Sequence, residues 1–168
     1  MNIYLIGMPG SGKTVTAQAL AQKLSKKFSD TDEMIVKRTE RAITTIFATL
    51  GEDYFRDIET EALLEVMKAG DRVVATGGGI VLKEHNWELM NGSGKVVYLK
   101  TSPDVILKRT ERSADRPLLK AENGPEKMKK IIELLDKRSR LYEKADLVCV
   151  TDGKTPEQVA EEIRRMVS

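Results

Sequence analysis

Gly7-Met8-Pro9-Gly10-Ser11-Gly12-Lys13-Thr14 follows directly on the apolar run Asn2-Ile3-Tyr4-Leu5-Ile6 and matches G-x-x-x-x-G-K-[ST] in full. The residue types suit one task. Gly7, Gly10 and Gly12 let the backbone curl until successive N–H groups converge on one concavity, the shape that cradles phosphate oxygens. A helix expected just beyond adds its unpaired N–H groups and the positive end of its dipole. Lys13 supplies a mobile charge for the outer phosphates, and Thr14 a hydroxyl for Mg²⁺. A glycine-rich turn ahead of a helix would account for the glycines but not for Lys-Thr at the helix start. The stretch therefore reads as a site for the phosphates of a nucleotide.

Asp30 and Asp32 form a second constellation. Read as the end of a strand, residues two apart point the same way, so both carboxylates can face the phosphate site. Acids beside a triphosphate are repelled unless they serve a cation or take a proton. One can hold Mg²⁺ through its water shell, and the other can accept a hydroxyl proton from a phosphoryl acceptor. The competing reading makes one of them a helix cap. Gly77-Gly78-Gly79 after a buried strand suggests backbone that approaches a ligand closely, or simply a flexible turn. Arg56, Arg116 and Arg138 are each, singly, compatible with a solvated charge, and spacing alone cannot bring them together.

The elements that must position these groups follow from periodicity. Strands are expected at 2–6, 26–32, 72–76, 96–99 and 147–150. Helices are expected at 16–24, 33–39, 43–50, 52–68 (after a break at Gly51), 80–90 and 126–142. Two more are expected behind the caps Ser102-Pro103-Asp104 and Thr155-Pro156-Glu157. Residues 112–125 are charged, contain Pro117, Gly124 and Pro125, and show no period, which suits a long loop acting as a lid. Five strands alternating with helices argue for a parallel sheet covered on both faces. In such sheets ligands sit at the carboxyl ends of the strands, which here carry the glycine-rich loop, Asp30-Thr31-Asp32 and the three consecutive glycines.

The 168 residues suit one domain, 40% of them apolar and 32% charged, as in a soluble globular protein. A net charge of +2 argues for neither nucleic acid nor a membrane surface as partner. The single cysteine, Cys149, excludes an internal disulfide and reads as a small core residue within a buried strand. The first strand begins at once, leaving no room for a signal peptide, and no apolar run approaches a membrane span. A cytoplasmic enzyme is the expectation.

Taken together, the motifs resemble the shikimate kinases, small P-loop kinases of the aromatic amino-acid pathway. The match runs through Gly7 to Thr14, Asp30-Thr31-Asp32, Ile46-Phe47 with Gly51-Glu52, and Phe55-Arg56-x-Ile58-Glu59. It continues through Gly77-Gly78-Gly79, Arg109-Thr110, Arg116-Pro117-Leu118-Leu119, Arg138 with Leu141-Tyr142, and Thr155-Pro156. The resemblance implies a three-layer α/β P-loop NTPase fold in one domain, 1–168, with a five-stranded parallel sheet in order 2-3-1-4-5. It also implies a shikimate-binding helical region at about 31–61 and a lid at about 112–124.

The resemblance further implies that ATP is the co-substrate, held by Gly10, Ser11, Gly12, Lys13, Thr14 and Val15 with Arg109, Arg116 and Lys154. Arg109 would pack near adenine. Lys154 stands where the family often has an arginine. Mg²⁺ would be bound by Thr14 and, through water, by Asp30. Asp32 would bind the shikimate hydroxyls and is the candidate base. Gly78 and Gly79 would offer backbone to the hydroxyls, Arg56 and Arg138 would take the carboxylate, and Glu59 would hold Arg56 in place. Lys13, Asp32 and Arg116 would carry catalysis, in a monomer. Neighbouring readings are a gluconate or nucleoside monophosphate kinase, or a nucleotide switch without an acceptor. A carboxylated, hydroxylated acceptor fits the arginines and Asp32 better than a nucleobase, since only 5% of residues are aromatic. His85 and Trp87 are read as surface or helix-packing residues.

Overall fold

The computed structural model describes residues 1–111, 119–121 and 123–168. In chain order the elements are β1 (Asn2–Ile6), α1 (Lys13–Leu24), β2 (Lys27–Asp30), α2 (Thr31–Thr39), α3 (Ile43–Ala69) and β3 (Arg72–Ala75). A 3₁₀ turn (Ile80–Leu82) precedes α4 (Glu84–Ser93), β4 (Gly94–Lys100), α5 (Pro103–Thr110), α6 (Gly124–Tyr142), β5 (Leu147–Val150) and α7 (Pro156–Val167).

The strands form one parallel sheet in the order β2-β3-β1-β4-β5. Central β1 is buried along its whole length, so it needs side chains that suit both faces. Tyr4 and Ile6 point to one face, where Val74, Val96 and Tyr98 meet α3, α4 and α6 through Leu63, Trp87, Ile131 and Tyr142. Ile3 and Leu5 point to the other, where Val73, Val97 and Cys149 meet α1 and α7 through Leu20, Val159 and Ile163. Cys149 is thus a core residue. Ile35, Ile46, Phe55 and Ile58 form a separate small core that ties α2 to α3.

Several boundaries differ from expectation for local reasons. Helix α1 begins at Lys13 rather than at 16, because Gly12 takes a left-handed conformation as its cap. Strand β2 ends at Asp30 and α2 begins at Thr31, so Asp32 lies in a helix and not on the strand. The expected helix at 80–90 is a 3₁₀ turn, an extended Lys83, then α4, which runs through Gly92 to Ser93. Gly94 opens β4: it pairs with Asn2, and a Cβ there would overlap the Asn2 carbonyl.

The backbone does break inside α3, at Gly51 with φ 85° and ψ 169°. Asn123 caps α6 by accepting from the Glu126 N–H, so that helix starts at Gly124 rather than at 126. Ser102 sits at the cap position of α5 but makes no side-chain cap; its N–H donates to Asp152 Oδ1 at 3.0 Å. Thr155 and Gln158 form a full capping box on α7. His85 is exposed, while buried Trp87 donates from Nε1 to the Val81 carbonyl at 3.1 Å. No helix among the described residues is long and apolar enough to cross a membrane.

Candidate active site

The loop between β1 and α1 curls as its glycines allow. Gly10 and Gly12 both stand at φ 86°, where a side chain would strain the backbone. Gly10 is also crowded, since a Cβ would lie 2.6 Å from Thr110 Cγ2. Lys13 is nearly buried, and its Nζ donates to the carbonyls of Gly7 and Met8, both at 2.9 Å. The ammonium therefore sits under the loop, tied to two of its oxygens. Ser11 Oγ is buried with no hydrogen-bond partner among the described residues.

Thr14, in the first turn of α1, donates from Oγ1 to Asp30 Oδ2 at 2.6 Å. The other Asp30 oxygen caps α2, accepting from the N–H groups of Asp32 (2.9 Å) and Glu33 (3.3 Å). The helix-cap alternative thus holds for Asp30, which combines it with the Thr14 contact. Asp32 reaches the same space from the first turn of α2, and the strand-alternation argument for the pair does not apply. An open cleft of about 630 Å³ is lined by Gly10, Gly12, Lys13, Thr14, Val15, Asp30, Asp32, Thr76 and Gly78, among others.

On the far side of Gly78 the charged residues gather. Arg56 donates from Nη1 to Glu59 Oε2 at 2.9 Å and from Nη2 to Glu52 Oε1 at 3.0 Å. Its guanidinium lies 5.9 Å and 5.3 Å from the ring centres of Phe47 and Phe55. Glu59 is fully buried, and burial pushes its carboxyl up to about 7. Arg56 opposes that rise, Asp32 adds to it and Arg138 opposes it. Burial alone would lower the Arg56 pKa, but Glu59 and Glu52 outweigh it and hold it above its ordinary value.

Buried Arg138 projects from α6 into the same group, beside Tyr142. The Tyr142 hydroxyl donates to the Gly78 carbonyl at 2.6 Å, and its ring stacks on Tyr98 with centres 5.1 Å apart. Burial raises the Tyr142 pKa against the pull of Arg138. One Arg138 donor, Nη1, and Arg56 Nε are buried with no hydrogen-bond partner among the described residues.

The three consecutive glycines are needed for space. A Cβ on Gly77 would overlap Glu59 Oε1, one on Gly78 would lie 2.9 Å from Pro9 Cδ, and one on Gly79 would overlap the Arg56 guanidinium. None of the three has a positive φ. The flexible-turn alternative gives way to a tightly packed corridor between the glycine-rich loop and α3. Chemically, the arrangement sets a phosphate cradle beside a floor of arginines and carboxylates. A family model described as shikimate kinase matches residues 9–168.

The chain belongs to the shikimate kinase family.

A shikimate kinase of Thermodesulfovibrio yellowstonii is 45% identical over 162 residues, covering 96% of this chain and 92% of that relative. One of Trichormus variabilis is 41% identical over 168 residues, covering 99% and 91%. Among solved structures, shikimate kinase from Acinetobacter baumannii in complex with shikimate superimposes with a TM-score of 0.93 at 37% identity, covering 99% of this chain and 92% of that one.

Within this family member, the remaining expected nucleotide residues are dispersed. Arg109 Nη1 lies 3.5 Å from Thr151 Oγ1, and a Cβ on Gly12 would lie 3.6 Å from the same nitrogen, which puts Arg109 against the glycine-rich loop. Lys154 turns away to pair with Glu162 at 2.5 Å, and that hydrogen bond raises its pKa. Arg116 and most of the lid at about 112–124 lie outside the described residues. Sequence reasoning quoted Glu52, Thr31 and Tyr142 within motifs but assigned no role to Glu52 as a partner of Arg56 or to Thr31 and Tyr142 as partners of the glycine corridor, where Thr31 Oγ1 accepts from the Gly77 N–H at 3.1 Å. The i, i+4 spacing of Glu52 and Arg56 was the available signal; nothing in the sequence marks Thr31 or Tyr142 as touching that loop.

Proposed function

We propose that the protein transfers the γ-phosphoryl group of ATP to the 3-hydroxyl of shikimate, giving 3-phosphoshikimate and ADP. One observation carries the reading: the cleft beside the phosphate loop is lined by Asp32 and Gly78, and Asp32 shares the buried Glu59 as a neighbour with two buried arginines, Arg56 and Arg138. A nucleotide switch has no use for that floor, and a nucleobase acceptor would need aromatic stacking rather than paired guanidinium groups.

In this reading the N–H groups of Gly10, Ser11, Gly12, Lys13, Thr14 and Val15 hold the ATP phosphates, and Arg109 packs near adenine. Lys154 is the weakest member of the set, because Glu162 already holds it. Arg56 and Arg138 take the shikimate carboxylate. Asp32, with the backbone of Gly78 and Gly79, fixes the hydroxyls. Asp32 accepts the proton of the 3-hydroxyl as the oxygen attacks in line, or only orients that hydroxyl, since a loose transition state needs little help from a base. Lys13 and Arg116, the latter reaching in from a lid at about 112–124, neutralise charge on the transferring group.

The donors at Thr14 and Asp30 suit Mg²⁺: one hydroxyl and one carboxylate, both hard oxygens, already 2.6 Å apart at the phosphate side of the cleft. No cluster of three or more His, Cys, Asp or Glu side chains able to hold a metal occurs among the described residues, which agrees with an ion that takes few protein ligands. Thr14 would hold it directly and Asp30 through water, and it would supply charge neutralisation on the phosphates. The proposal includes one domain spanning 1–168, with the helical region at about 31–61 as its acceptor half. It also includes a cytoplasmic monomer without nucleic-acid or membrane partners, in keeping with its small net charge of +2.

The test is a coupled ADP-release assay with and without shikimate. ADP release that depends on shikimate is the expected outcome. Slow release indifferent to shikimate would turn the reading into a nucleotide switch, and release driven by gluconate or a nucleoside monophosphate would move it to a neighbouring kinase.

A further inference from the structure

Arg56 is held by two carboxylates of opposite character. Glu59 is 0% exposed and hemmed in by Gly77, so it cannot leave the guanidinium. Glu52 is 49% exposed and reaches Nη2 from the solvent side. It is the first residue after the Gly51 break, where the backbone leaves helical geometry. It lies on the same helical segment as Arg56, one turn ahead of it.

Two carboxylates already sit on the Arg56 guanidinium, Glu59 at Nη1 and Glu52 at Nη2. An acceptor carboxylate arriving at Arg56 makes a third. Of the two in place Glu52 is the exposed one, and like charges on one guanidinium repel. A carboxylate docking in two-pronged fashion also needs adjacent N–H donors, and one of the two terminal nitrogens is engaged by each glutamate.

We infer that Glu52 is an internal competitor for Arg56: its carboxylate holds the place of the acceptor's carboxylate and is displaced when the acceptor binds. The inference rests on the proposal that the acceptor carboxylate binds Arg56. Glu52 then acts as a positioning residue through Arg56. It keeps the guanidinium aimed in the empty site, at the cost of weaker acceptor binding. A half-exposed ion pair of this kind is a modest opponent, so its removal should be felt in affinity by only a small factor.

Glu52→Gln removes the charge and keeps the shape, Glu52→Ala removes both, and Glu52→Asp keeps the charge. Steady-state kinetics with ATP and shikimate should show the KM for shikimate about two- to five-fold lower in the Gln and Ala variants. The KM for ATP should stay put, and the Asp variant should return toward the parent. If Glu52 is only a prop for Arg56, the KM for shikimate rises in both neutral variants; that result, or no change, overturns the inference. Loss of folding in both neutral variants also counts against it, because a solvent-side competitor is dispensable for the fold. If the parent protein fails to phosphorylate shikimate, the functional reading fails and this inference with it. If the parent is active and only the KM shift is missing, the inference alone fails.

Discussion

The Thr14 hydroxyl donates to Asp30 Oδ2 at 2.6 Å across a sequence separation of 16 residues, while the other oxygen of the same carboxylate caps helix α2. One side chain therefore faces the phosphate side of the cleft and starts the helix that carries Asp32. Structure and proposed chemistry can be separated by how variants respond to Mg²⁺.

Asp30→Asn keeps an oxygen for the cap but loses the charge, so activity should fall and be partly restored by raised Mg²⁺. Asp32→Asn should lose roughly 10²–10⁴-fold in kcat if Asp32 takes the proton, with no rescue by Mg²⁺. If it only orients the hydroxyl, the loss appears in the KM for shikimate as well. Rescue of the Asp32 variant and not of the Asp30 variant would reverse the two assignments. Asp30→Ala, which also removes the cap, should cost about 0.5–2 kcal/mol of stability, read by urea denaturation.

Arg138→Lys keeps the positive charge and loses the two-pronged donor. Calorimetric titration should show shikimate binding weakened by on the order of 1–3 kcal/mol, with nucleotide binding little changed. Equal damage to both would assign Arg138 to the phosphates or to the fold.

Gly79→Ala should act through crowding, since φ is −96° there and the backbone tolerates a side chain. Its Cβ would run into the Arg56 guanidinium, which Glu59 and Glu52 hold on the other side. The KM for shikimate should rise and stability should fall by about 1–3 kcal/mol. Unchanged values for both would show that Arg56 yields freely.

Glu59 sets a pH dependence of stability. Burial raises its carboxyl from 4.5 to about 7, so between those values the folded protein binds more protons there than the unfolded chain. This contribution is fully present below about pH 4.5 and is lost as pH rises through about 7, with a slope on the order of 1 kcal/mol per pH unit. Glu161, drawn down to about 2 by hydrogen bonds from Arg164 and Arg165, titrates below that window. Glu59→Gln stays neutral throughout. Denaturation of parent and variant should show the parent losing ground to the variant as pH rises across the window; parallel profiles would mean that Glu59 is ionised throughout.

The five strands and the two covered faces were legible because parallel strands buried on both sides leave short apolar runs between helices, as in Val96-Val97-Tyr98-Leu99, whereas the strand order came only from the family resemblance. The glycine-rich loop was legible because its geometry dictates its residue types. Asp32 was misassigned to a strand because a single residue, Asp30, ends β2 and caps α2 at once, leaving no spacer to mark the change of period. The place of Gly94 in β4 was not legible, because nothing local distinguishes a turn glycine from one admitted for the close approach of Asn2. The corridor from Pro9 through Gly78 to Arg56 joins segments far apart in the chain, so no window of sequence contains it.

The register of β1 on β3 acts as a ruler. Leu5 stands opposite Ala75, and the Leu5 carbonyl accepts from both the N–H and the hydroxyl of Thr76. The glycine-rich loop leaves one strand, the glycine corridor leaves the other, and this ladder fixes their separation. One residue inserted at the end of either strand would slide its loop by about 3.3 Å. Each half could still take its own ligand, yet the two reacting atoms would no longer meet. Reach between donor and acceptor is thus set by the ladder of the buried sheet and not by the loops it carries.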